Sequence, residues 1–382
     1  MACCLQVENL TKSFGDLVLF ENISFAIEDG RRVALVAKNG TGKTTLLNII
    51  AGREDHDGGE VVPRRDLRIA YLEQSPEYPA EMTVLEACFH SENPALKAIA
   101  EYERAIEEPS GEGLQEAMAR MDALEAWDYE QRAKRILSRL KIRDFGQRVG
   151  TLSGGQLKRV ALANVLISES DLLILDEPTN HLDTDMTEWL EEYLAASGAG
   201  LLMVTHDRYF LDKVCSDILE IEDRQLYHYA GNYSYYLEKK QERESAFAMI
   251  DETAQRMAND GSLFQSYLDV QARFDRYSVG NAVLITAQKA DATQLSDFKG
   301  WKNNGVFIKK GESGIVLLEP GEEYTKEDGT VGVSYNSKKV FDISQTTAKV
   351  KDRPAMKRDE RLLLKAIIHN APCPIEISQK LP

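Results

Sequence analysis

Residues 37–45, AKNGTGKTT, place two glycines ahead of a lysine and a pair of threonines. Backbone N–H groups around a glycine turn, followed by the start of a helix, form a concave site for anions. In such a loop Lys43 would neutralise the β- and γ-phosphate oxygens of a nucleoside triphosphate, and Thr44 would offer its hydroxyl to Mg²⁺. We therefore predict that this segment binds ATP and Mg²⁺. The predicted nucleotide contacts in the loop are Ala37, Lys38, Asn39, Gly40, Thr41, Gly42, Lys43, Thr44 and Thr45.

Four further side chains are placed to reach the same phosphates. Asp176 ends the apolar run LLILD and is positioned to hold the metal, commonly through water, while Glu177 beside it can polarise the attacking water. His206 ends the run LLMVTH and would contact the γ-phosphate, and Gln74 in YLEQSPEY would reach the metal or the water from a loop. We therefore predict ATP hydrolysis, with Glu177, His206 and Gln74 as the catalytic set. The metal would lie among Thr44, Gln74 and Asp176.

The first position of the phosphate loop departs from the usual pattern, which has glycine there. Ala37 adds a methyl group and disfavours positive φ, so we expect the turn to be slightly strained or adjusted. The N–H group of this residue is retained, so we expect nucleotide binding to survive.

The elements that must position these side chains are readable from hydrophobic spacing. RRVALVA (31–37) is predicted as a buried strand, and the helix that starts at Lys43 is predicted to end at Gly52. Residues 171–178 and 200–207 are predicted as two more buried strands. Each ends in polar residues, as strands do at the carboxyl edge of a parallel sheet.

Two other patterns complete the predicted fold. Residues 5–14 and 18–27 alternate polar and apolar positions, which predicts half-buried strands. Helical spacing over residues 83–141, with a break at 107–113, predicts a helical subdomain. With the motifs LSGGQ (152–156) and ILDEPTNHLD (174–183) further along the chain, the predicted fold class is α/β and resembles a P-loop ATP-binding cassette with a helical subdomain, followed by a smaller α+β domain.

Two motifs, LSGGQ (152–156) and ILDEPTNHLD (174–183), follow the phosphate loop in order. With the GNYSYYLEKK segment and no apolar run long enough for a membrane span, they resemble the ABC-F family of ATP-binding cassette proteins over residues 1 to about 245. The resemblance implies an ATPase that holds ATP between two cassettes packed head to tail. The serine–glycine motif of one cassette would cap the γ-phosphate bound by Lys43 of the other. The residues of this motif are Ser153, Gly154, Gly155 and Gln156.

The same resemblance implies that Phe14 stacks on adenine and that His181 and Asp183 lie at the interface between cassettes. Two alternatives stay open, since Phe14 could belong to the core and Asp183 could cap a helix.

Family members usually carry two cassettes joined by a long helical linker that reaches transfer RNA on the ribosome. The sequence holds one phosphate loop, and the linker is predicted to start at Tyr236 without continuing. Hydrolysis is therefore expected to need a second cassette, from a copy of this chain or another protein, and the ribosome stays open as a partner.

Residues 264–347 carry FDRYSVGNAVLI, a tryptophan, a KKGE turn and VFDISQT. They resemble the N-terminal single-stranded-DNA-binding domain of ArdC-type antirestriction proteins, which are found on mobile elements. Apolar runs alternating with Gly and Lys over 279–318 predict strands and turns. Aromatic side chains that stack on bases and lysines that hold phosphates would suit single-stranded DNA. The alternative is that the aromatics fill a small core and the lysines form a solvated face. The residues concerned are Trp301, Phe307, Tyr335, Lys302, Lys309, Lys310, Lys338 and Lys339.

Charge divides the chain in a similar place. The net charge of −16 splits into −17 over the first 250 residues and +1 over the rest, which favours two units of different origin. The five cysteines form no CxxC pair, which suits a reducing compartment, and no stretch approaches the ~18 apolar residues that a bilayer span needs. We therefore predict a cytoplasmic protein without a membrane partner.

The predicted domains are a cassette (1–245), a junction (246–263), an ArdC-like domain (264–347) and a tail with a short helix (348–382). Two alternatives to an ABC-F-type ATPase stay open. One is a single-stranded-DNA-binding protein of a mobile element. The other is a fusion of two truncated genes whose cassette binds ATP without a coupled function.

Overall fold

The computed structural model describes residues 3–89, 94–107, 113–124, 126–325 and 331–348. Within these residues the chain divides into two compact units. One is drawn from Met1–Asp260 and Val316–Lys338, and the other from Gly261–Ile315 and Lys339–Pro382. The tail helix expected around RLLLKAIIH falls in residues 349–382, outside the described part of the chain.

The two units together contain the following strands and helices. The strands are β1 (Cys3–Phe14), β2 (Leu17–Glu28), β3 (Arg32–Ala37), β4 (Gly58–Pro63), β5 (Ile69–Leu72), β6 (Leu172–Asp176), β7 (Gly200–Val204), β8 (Asp217–Glu222), β9 (Gln225–Tyr229), β10 (Leu295–Ser296), β11 (Ile315–Thr325) and β12 (Val331–Asp342). The helices are α1 (Lys43–Ile50), α2 (Val84–Cys88), α3 (Pro94–Glu107), α4 (Leu114–Ala123), α5 (Trp127–Arg139), α6 (Gly154–Ile167), α7 (Thr184–Ala196), α8 (Arg208–Val214), α9 (Tyr233–Asn259), α10 (Gly261–Arg273), α11 (Val279–Lys289) and α12 (Phe298–Asn303).

The larger sheet carries the predicted chemistry. Its strand order is β5-β6-β7-β3-β8-β9, in which β9 is antiparallel to β8 and the other neighbours are parallel. β6 and β7 are buried throughout, as uninterrupted apolar runs predict for strands covered on both faces. Because β6, β7 and β3 are parallel neighbours, their carboxyl ends share one edge of the sheet. The predicted P-loop α/β fold is confirmed.

A smaller antiparallel sheet, in the order β2-β1-β4, covers one side of this arrangement. Leu5 and Phe20 from the small sheet, Leu46 from α1 and Ile174 from β6 belong to one buried cluster. The prediction of half-buried strands at 5–14 and 18–27 is confirmed. This packing fixes α1, and with it the end of the phosphate loop, against the larger sheet.

The helical subdomain is confirmed as α2 to α5. Thr83 begins it with a capping box, in which its hydroxyl accepts from the N–H of Glu86 and the Glu86 carboxylate accepts from the Thr83 N–H. The predicted break lies between the end of α3 at Glu107 and the start of α4 at Leu114. Residues 108–112 lie outside the described part.

α9 extends the first unit beyond the predicted cassette boundary at residue 245. Asn232 caps it by accepting from the Tyr235 N–H at 3.1 Å, and the helix then continues without a break to Asn259. Tyr236, the predicted start of the linker, lies in the first turn of this helix, and the expectation that the family's linker does not continue here stays a prediction. The segment is rich in Ala, Glu, Lys, Gln, Arg and Met and holds no glycine or proline, so nothing in it ends a helix.

Among the described residues, no helix is both long and apolar enough to cross a membrane.

The second unit contains a helix where strands and turns were predicted. Ser278 caps α11 by accepting from the Asn281 N–H at 3.3 Å, and residues 281–286 are buried. The β-branched residues of this segment favour a strand, but the cap and the buried position override that weak preference. The strand prediction for 279–289 is therefore wrong.

Candidate functional site

The phosphate loop runs from the end of β3 to the start of α1, as predicted. Its left-handed residues are Gly40 (φ 84°) and Gly42 (φ 90°). Ala37 instead lies within β3, where it pairs with Ile221 of β8, and it does not have positive φ. The expectation that Ala37 strains the turn is wrong, because its extra methyl group sits on extended backbone that any residue adopts.

Gly42→Ala is expected to lower the free energy of unfolding by about 1–2 kcal/mol, because alanine disfavours the left-handed backbone at this position. A steric clash is expected to add to this loss. A Cβ atom at Gly42 would approach Cδ1 of Leu19 to 2.7 Å. Gly52→Ala is the matched control, since Gly52 is also left-handed (φ 69°) but has open space around it. Chemical unfolding and nucleotide titration of both variants test this. Equal effects on stability and nucleotide binding would contradict the role given to the Leu19 contact.

Lys43 lies inside the loop that would hold the phosphates. Its Nζ donates to the carbonyl oxygens of Ala37 at 3.0 Å and of Lys38 at 3.1 Å. Burial lowers the pKa of Lys43, while the carboxylates of Glu177 and Asp176 act in the opposite direction. The ammonium is therefore close to both predicted acidic residues and has neutral acceptors that charged phosphate oxygens can replace.

Thr44 and Asp176 meet at the edge of the sheet. The Thr44 hydroxyl donates to Oδ2 of Asp176 at 2.8 Å, and Asp176 is buried at the end of β6. Burial raises the pKa of Asp176, and the hydrogen bond from Thr44 and the charges of Lys158 and Lys43 partly offset that rise. A hydroxyl and a carboxylate side by side are oxygen ligands of the kind Mg²⁺ takes, so Thr44 and Asp176 fit the ion, and the metal contact of Gln74 stays a prediction.

Glu177 and His206 form the second pair at this edge. The His206 N–H donates to Oε2 of Glu177 at 3.4 Å, and Nε2 of His206 lies 3.5 Å from Oε1 of Glu177. Glu177 has φ 52°, an uncommon conformation for this residue type, and its N–H donates to the carbonyl of Val204 on β7 at 2.8 Å. Burial raises the pKa of Glu177, opposed by His206. The structure thus brings together the predicted base and the predicted γ-phosphate contact.

Affinity for Mg²⁺ with nucleotide is expected to fall on acidification through the raised pKa of Asp176. The ion binds the deprotonated carboxylate, so each pH unit below that pKa weakens binding about tenfold, and the fall begins at a higher pH than an exposed aspartate would give. Nucleotide titrations between roughly pH 5 and 8 measure the effect. Asp176→Asn is the control, because the pH dependence that remains in this variant comes from protonation of the nucleotide and not of residue 176. A variant with the same pH dependence as the unmodified chain would contradict the assignment.

The serine–glycine motif forms the start of α6. Ser153 caps this helix in a capping box with Gln156, whose side chain oxygen accepts from the Ser153 N–H at 2.9 Å. Gly154 is exposed, with open space where a Cβ would lie, and a Cβ at Gly155 would meet His181 at 3.2 Å. The motif is therefore an exposed helix N-terminus, and the nucleotide contacts predicted for it stay predictions.

Asp183 caps α7. It accepts from the Met186 N–H at 3.1 Å and forms an ion pair with Lys141. The alternative reading of Asp183 as a helix cap is confirmed, and the interface role of His181 and Asp183 stays a prediction.

Phe14 and Gln74 are both accessible. Phe14 is 54% exposed, with Nζ of Lys12 4.9 Å from its ring centre, so the core alternative is wrong and stacking on adenine stays a prediction. Gln74 is exposed in the loop after β5, and its backbone carbonyl accepts from Lys158. The sequence analysis did not predict a role for Lys158. The one feature that could have indicated it is its position, two residues after the LSGGQ motif.

The aromatic residues proposed for single-stranded DNA have different surroundings. Trp301 is buried and donates from Nε1 to the carbonyl of Phe341 at 2.9 Å, so its predicted stacking role is wrong. Tyr335 belongs to the first unit and packs edge-on against Phe247, with ring centres 6.1 Å apart. Phe307 is 61% exposed. The alternative of aromatics filling a small core therefore describes Trp301.

The proposed lysines have mixed surroundings. Lys309 donates to the carbonyl of Ser344 at 2.8 Å, and Lys338 forms an ion pair with Glu319 at 3.0 Å. Lys302, Lys310 and Lys339 are exposed. These contacts describe an ordinary lysine-bearing surface, which matches the alternative of a solvated face.

Comparison with known proteins agrees with this geometry. The ABC transporter family model matches residues 20–180. An uncharacterized ABC transporter ATP-binding protein, YfmR of Bacillus subtilis, is 48% identical over 249 residues, covering 63% of this chain and 40% of that protein. The energy-dependent translational throttle protein EttA of Mycobacterium tuberculosis is 31% identical over 345 residues, covering 86% of this chain and 62% of that protein. EttA of Escherichia coli is 32% identical over 303 residues, covering 77% of this chain and 53% of that protein.

The chain thus spans between 40% and 62% of the lengths of these relatives. The Mycobacterium match covers more of the chain than its first 245 residues could supply, so similarity to EttA extends past the predicted cassette boundary. The matched family model, the order of the motifs and the cluster at the sheet edge agree: residues 20–180 are similar to ABC transporter cassettes, and the chain has the P-loop ABC ATPase fold.

Proposed function

We propose that this chain hydrolyses ATP as a cassette of the ABC-F type, with a second cassette completing its site. The observation that carries the proposal is the cluster at one edge of the larger sheet, where Thr44 contacts Asp176 and His206 contacts Glu177. A phosphate loop, paired oxygen ligands and a buried carboxylate beside them are the parts that transfer of a phosphoryl group to water requires.

Each side chain has a defined task in this reaction. Lys43 would exchange the two loop carbonyls it contacts for charged phosphate oxygens, which are stronger acceptors. Glu177 would accept the proton of the attacking water, and the rise in its pKa caused by burial makes it a stronger base. His206 would hold Glu177 and contact the γ-phosphate. Thr44 and Asp176 would hold Mg²⁺, which when bound supplies positive charge to the phosphate oxygens.

The need for a second cassette is supported by the exposed start of α6. Ser153 and Gly154 lie at the N-terminus of this helix, and an exposed helix N-terminus favours an anion. A γ-phosphate held by Lys43 of another cassette would supply that anion. The proposed arrangement is therefore head to tail, between two copies of this chain or between this chain and another cassette protein.

A translation-related role is supported by the relatives. Two of them are named energy-dependent translational throttle proteins, and the match to one covers 86% of this chain. We propose the ribosome as the partner whose binding the ATPase cycle controls. Ribosome pelleting with Glu177→Gln tests this, because slowed hydrolysis would prolong the ATP-bound state. ATP-dependent co-sedimentation is expected, and equal pelleting with and without ATP would contradict it.

ATPase turnover per chain is expected to rise with chain concentration, because only paired cassettes form a complete site. Phosphate release measured over a concentration series, alongside sedimentation of the same samples with ATP, provides the test. Turnover that is independent of concentration in a strictly monomeric chain would refute the proposal.

Mixing two inactive variants gives a sharper test of the head-to-tail site. Lys43→Ala removes the phosphate contact, and Ser153→Arg blocks the exposed helix start. In a mixed pair, one of the two sites combines the intact Lys43 of one chain with the intact Ser153 of the other. Mixing is therefore expected to restore activity that neither variant has alone, and no restoration would count against a shared site.

A further inference from the structure

A buried lysine links the loop that carries Gln74 to the strand that ends in Asp176. Lys158 lies on α6, the helix that Ser153 caps, and is 5% exposed. Its Nζ donates to the backbone carbonyls of Glu73, of Gln74 at 3.1 Å and of Asp176 at 2.9 Å. An ammonium group has three N–H donors, so all three of its hydrogen bonds go to these carbonyls.

This arrangement costs free energy that an apolar side chain would avoid. Burial lowers the pKa of Lys158 to about 8, although the carboxylates of Asp176 and Glu177 act to raise it. Ala161 and Leu162, one turn further along α6, are apolar and buried, so Lys158 lies beside part of the core. A buried charge does not by itself indicate that the residue stabilises the fold. The hydrogen bonds of Lys158 instead join two segments of the candidate site, which indicates a role in positioning them.

The loop after β5 depends on contacts of this kind for its position. β5 pairs with β6 as far as Leu72 opposite Leu175, and the strand then ends. Glu73 and Gln74 follow directly, and Lys158 joins their carbonyls to that of Asp176, one residue beyond Leu175. The Glu73 side chain adds an ion pair with Arg53. Beyond the last backbone pair of β5 and β6, the side chain of Lys158 thus keeps the two segments side by side.

We propose that Lys158 is a positioning residue that holds the Gln74 loop and the end of β6 in the arrangement needed for hydrolysis. The inference rests on the proposed ATPase function. Gln74 is the predicted contact to the metal or the attacking water, and Asp176 is the predicted metal ligand. Lys158 touches neither side chain through these hydrogen bonds, so it acts by fixing the backbones from which both extend.

Lys158→Met is expected to lower kcat for ATP hydrolysis by about 10- to 100-fold, since displacing catalytic groups by about 1 Å has effects of this size. Nucleotide affinity and KM are expected to change less than about threefold, because Lys43 and the phosphate loop keep their contacts. Lys158→Arg keeps a positive donor in the same place and is expected to recover part of the lost kcat. Lys213→Met, on α8, is the control, because Lys213 is exposed and pairs with Glu191.

Hydrogen exchange of the nucleotide-free chain provides a readout that does not depend on activity. Lys158→Met is expected to speed amide exchange in residues 73–78, while β6 and α1 keep the exchange of the unmodified chain. If Lys158→Met does not fold, Lys158→Gln, which keeps a donor for one carbonyl, takes its place in both measurements. Unfolding free energies of each variant identify a general loss of stability.

The outcomes separate this inference from the proposed function. An unmodified chain without ATPase activity would overturn the proposed function, and the exchange of residues 73–78 would still decide the positioning role. Unchanged exchange and unchanged kcat in the Lys158 variants of an active chain would overturn the positioning role alone. A fall in kcat matched by an equal loss of nucleotide affinity would also overturn it, since that pattern places Lys158 in binding.

Discussion

Glu177→Gln is expected to lower the turnover number for ATP hydrolysis by about 10²- to 10⁴-fold, the range for loss of a general base. Glutamine has nearly the same shape as glutamate but cannot accept a proton. In the structure Glu177 is buried, held by the N–H and ring of His206, and lies one residue beyond Asp176. Nucleotide affinity is expected to stay within about threefold, because Lys43 and Thr44 are unchanged. Steady-state phosphate release and equilibrium nucleotide titration measure the two quantities.

Stability measurements distinguish lost chemistry from lost folding in this variant. Burial raises the pKa of Glu177 above its value in the unfolded chain, so the stability it contributes is present at low pH and is lost as pH rises through the folded pKa. A neutral glutamine removes that loss, so the variant is expected to be no less stable than the unmodified chain at neutral pH. Glu191→Gln, on α7 and paired with Lys213, is the control and is expected to keep full activity. Substantial turnover by Glu177→Gln would rule out the assigned role.

Arg243→Met is expected to destabilise the chain by about 3 kcal/mol, near the lower end of values for breaking a buried ion pair. Arg243 is 4% exposed and Glu220, on β8, is 2% exposed. Nη2 of Arg243 lies 3.3 Å from the Glu220 carboxylate and 2.6 Å from that of Glu222, and Nη1 donates to the Tyr229 hydroxyl at 2.7 Å. Methionine fills much of the space but leaves the buried acceptors with fewer donors. Urea unfolding of the nucleotide-free chain measures the change.

Two features set the size of this effect. Lys240 and the Tyr236 hydroxyl, at 2.8 Å, also contact Glu220 and remain in the variant, which keeps the expected loss at the low end. Arg256→Met is the matched control, because Arg256 lies on the same helix and is exposed. A loss below about 1 kcal/mol would show that the remaining donors satisfy Glu220 without Arg243. Because the network joins α9 to β8 and β9, the same variant is expected to free the first turns of α9, measurable as faster amide exchange there.

The position of the glycine turn between β3 and α1 could be predicted closely because its information is local. AKNGTGKTT supplies the turn, the lysine and the hydroxyl within nine residues, and the structure places β3, the glycine turn and α1 as that segment predicts. Asp176 and His206 could be located at one edge of the sheet because each comes at the end of a buried apolar run, and neighbouring parallel strands present their ends at one edge. The expected strain at Ala37 was wrong for a related reason, since the position of the strand end decides which residues need positive φ.

The parts that sequence could not supply depend on contacts between distant segments. Lys158 contacts backbone carbonyls 84 and 85 positions earlier in the chain, and a lysine in a helix sequence gives no sign of being buried there. The sequence around Trp301 does not show whether its ring faces a base or the core. Packing decided its burial, with the indole N–H bonded to the carbonyl of Phe341. Residue types and their spacing determined the phosphate loop, the strand-end carboxylates and the helical subdomain, because those features are written in short stretches of chain. Tertiary structure alone decided that Lys158 and Trp301 are buried and which carbonyls they contact, because those contacts join segments that are far apart in the sequence.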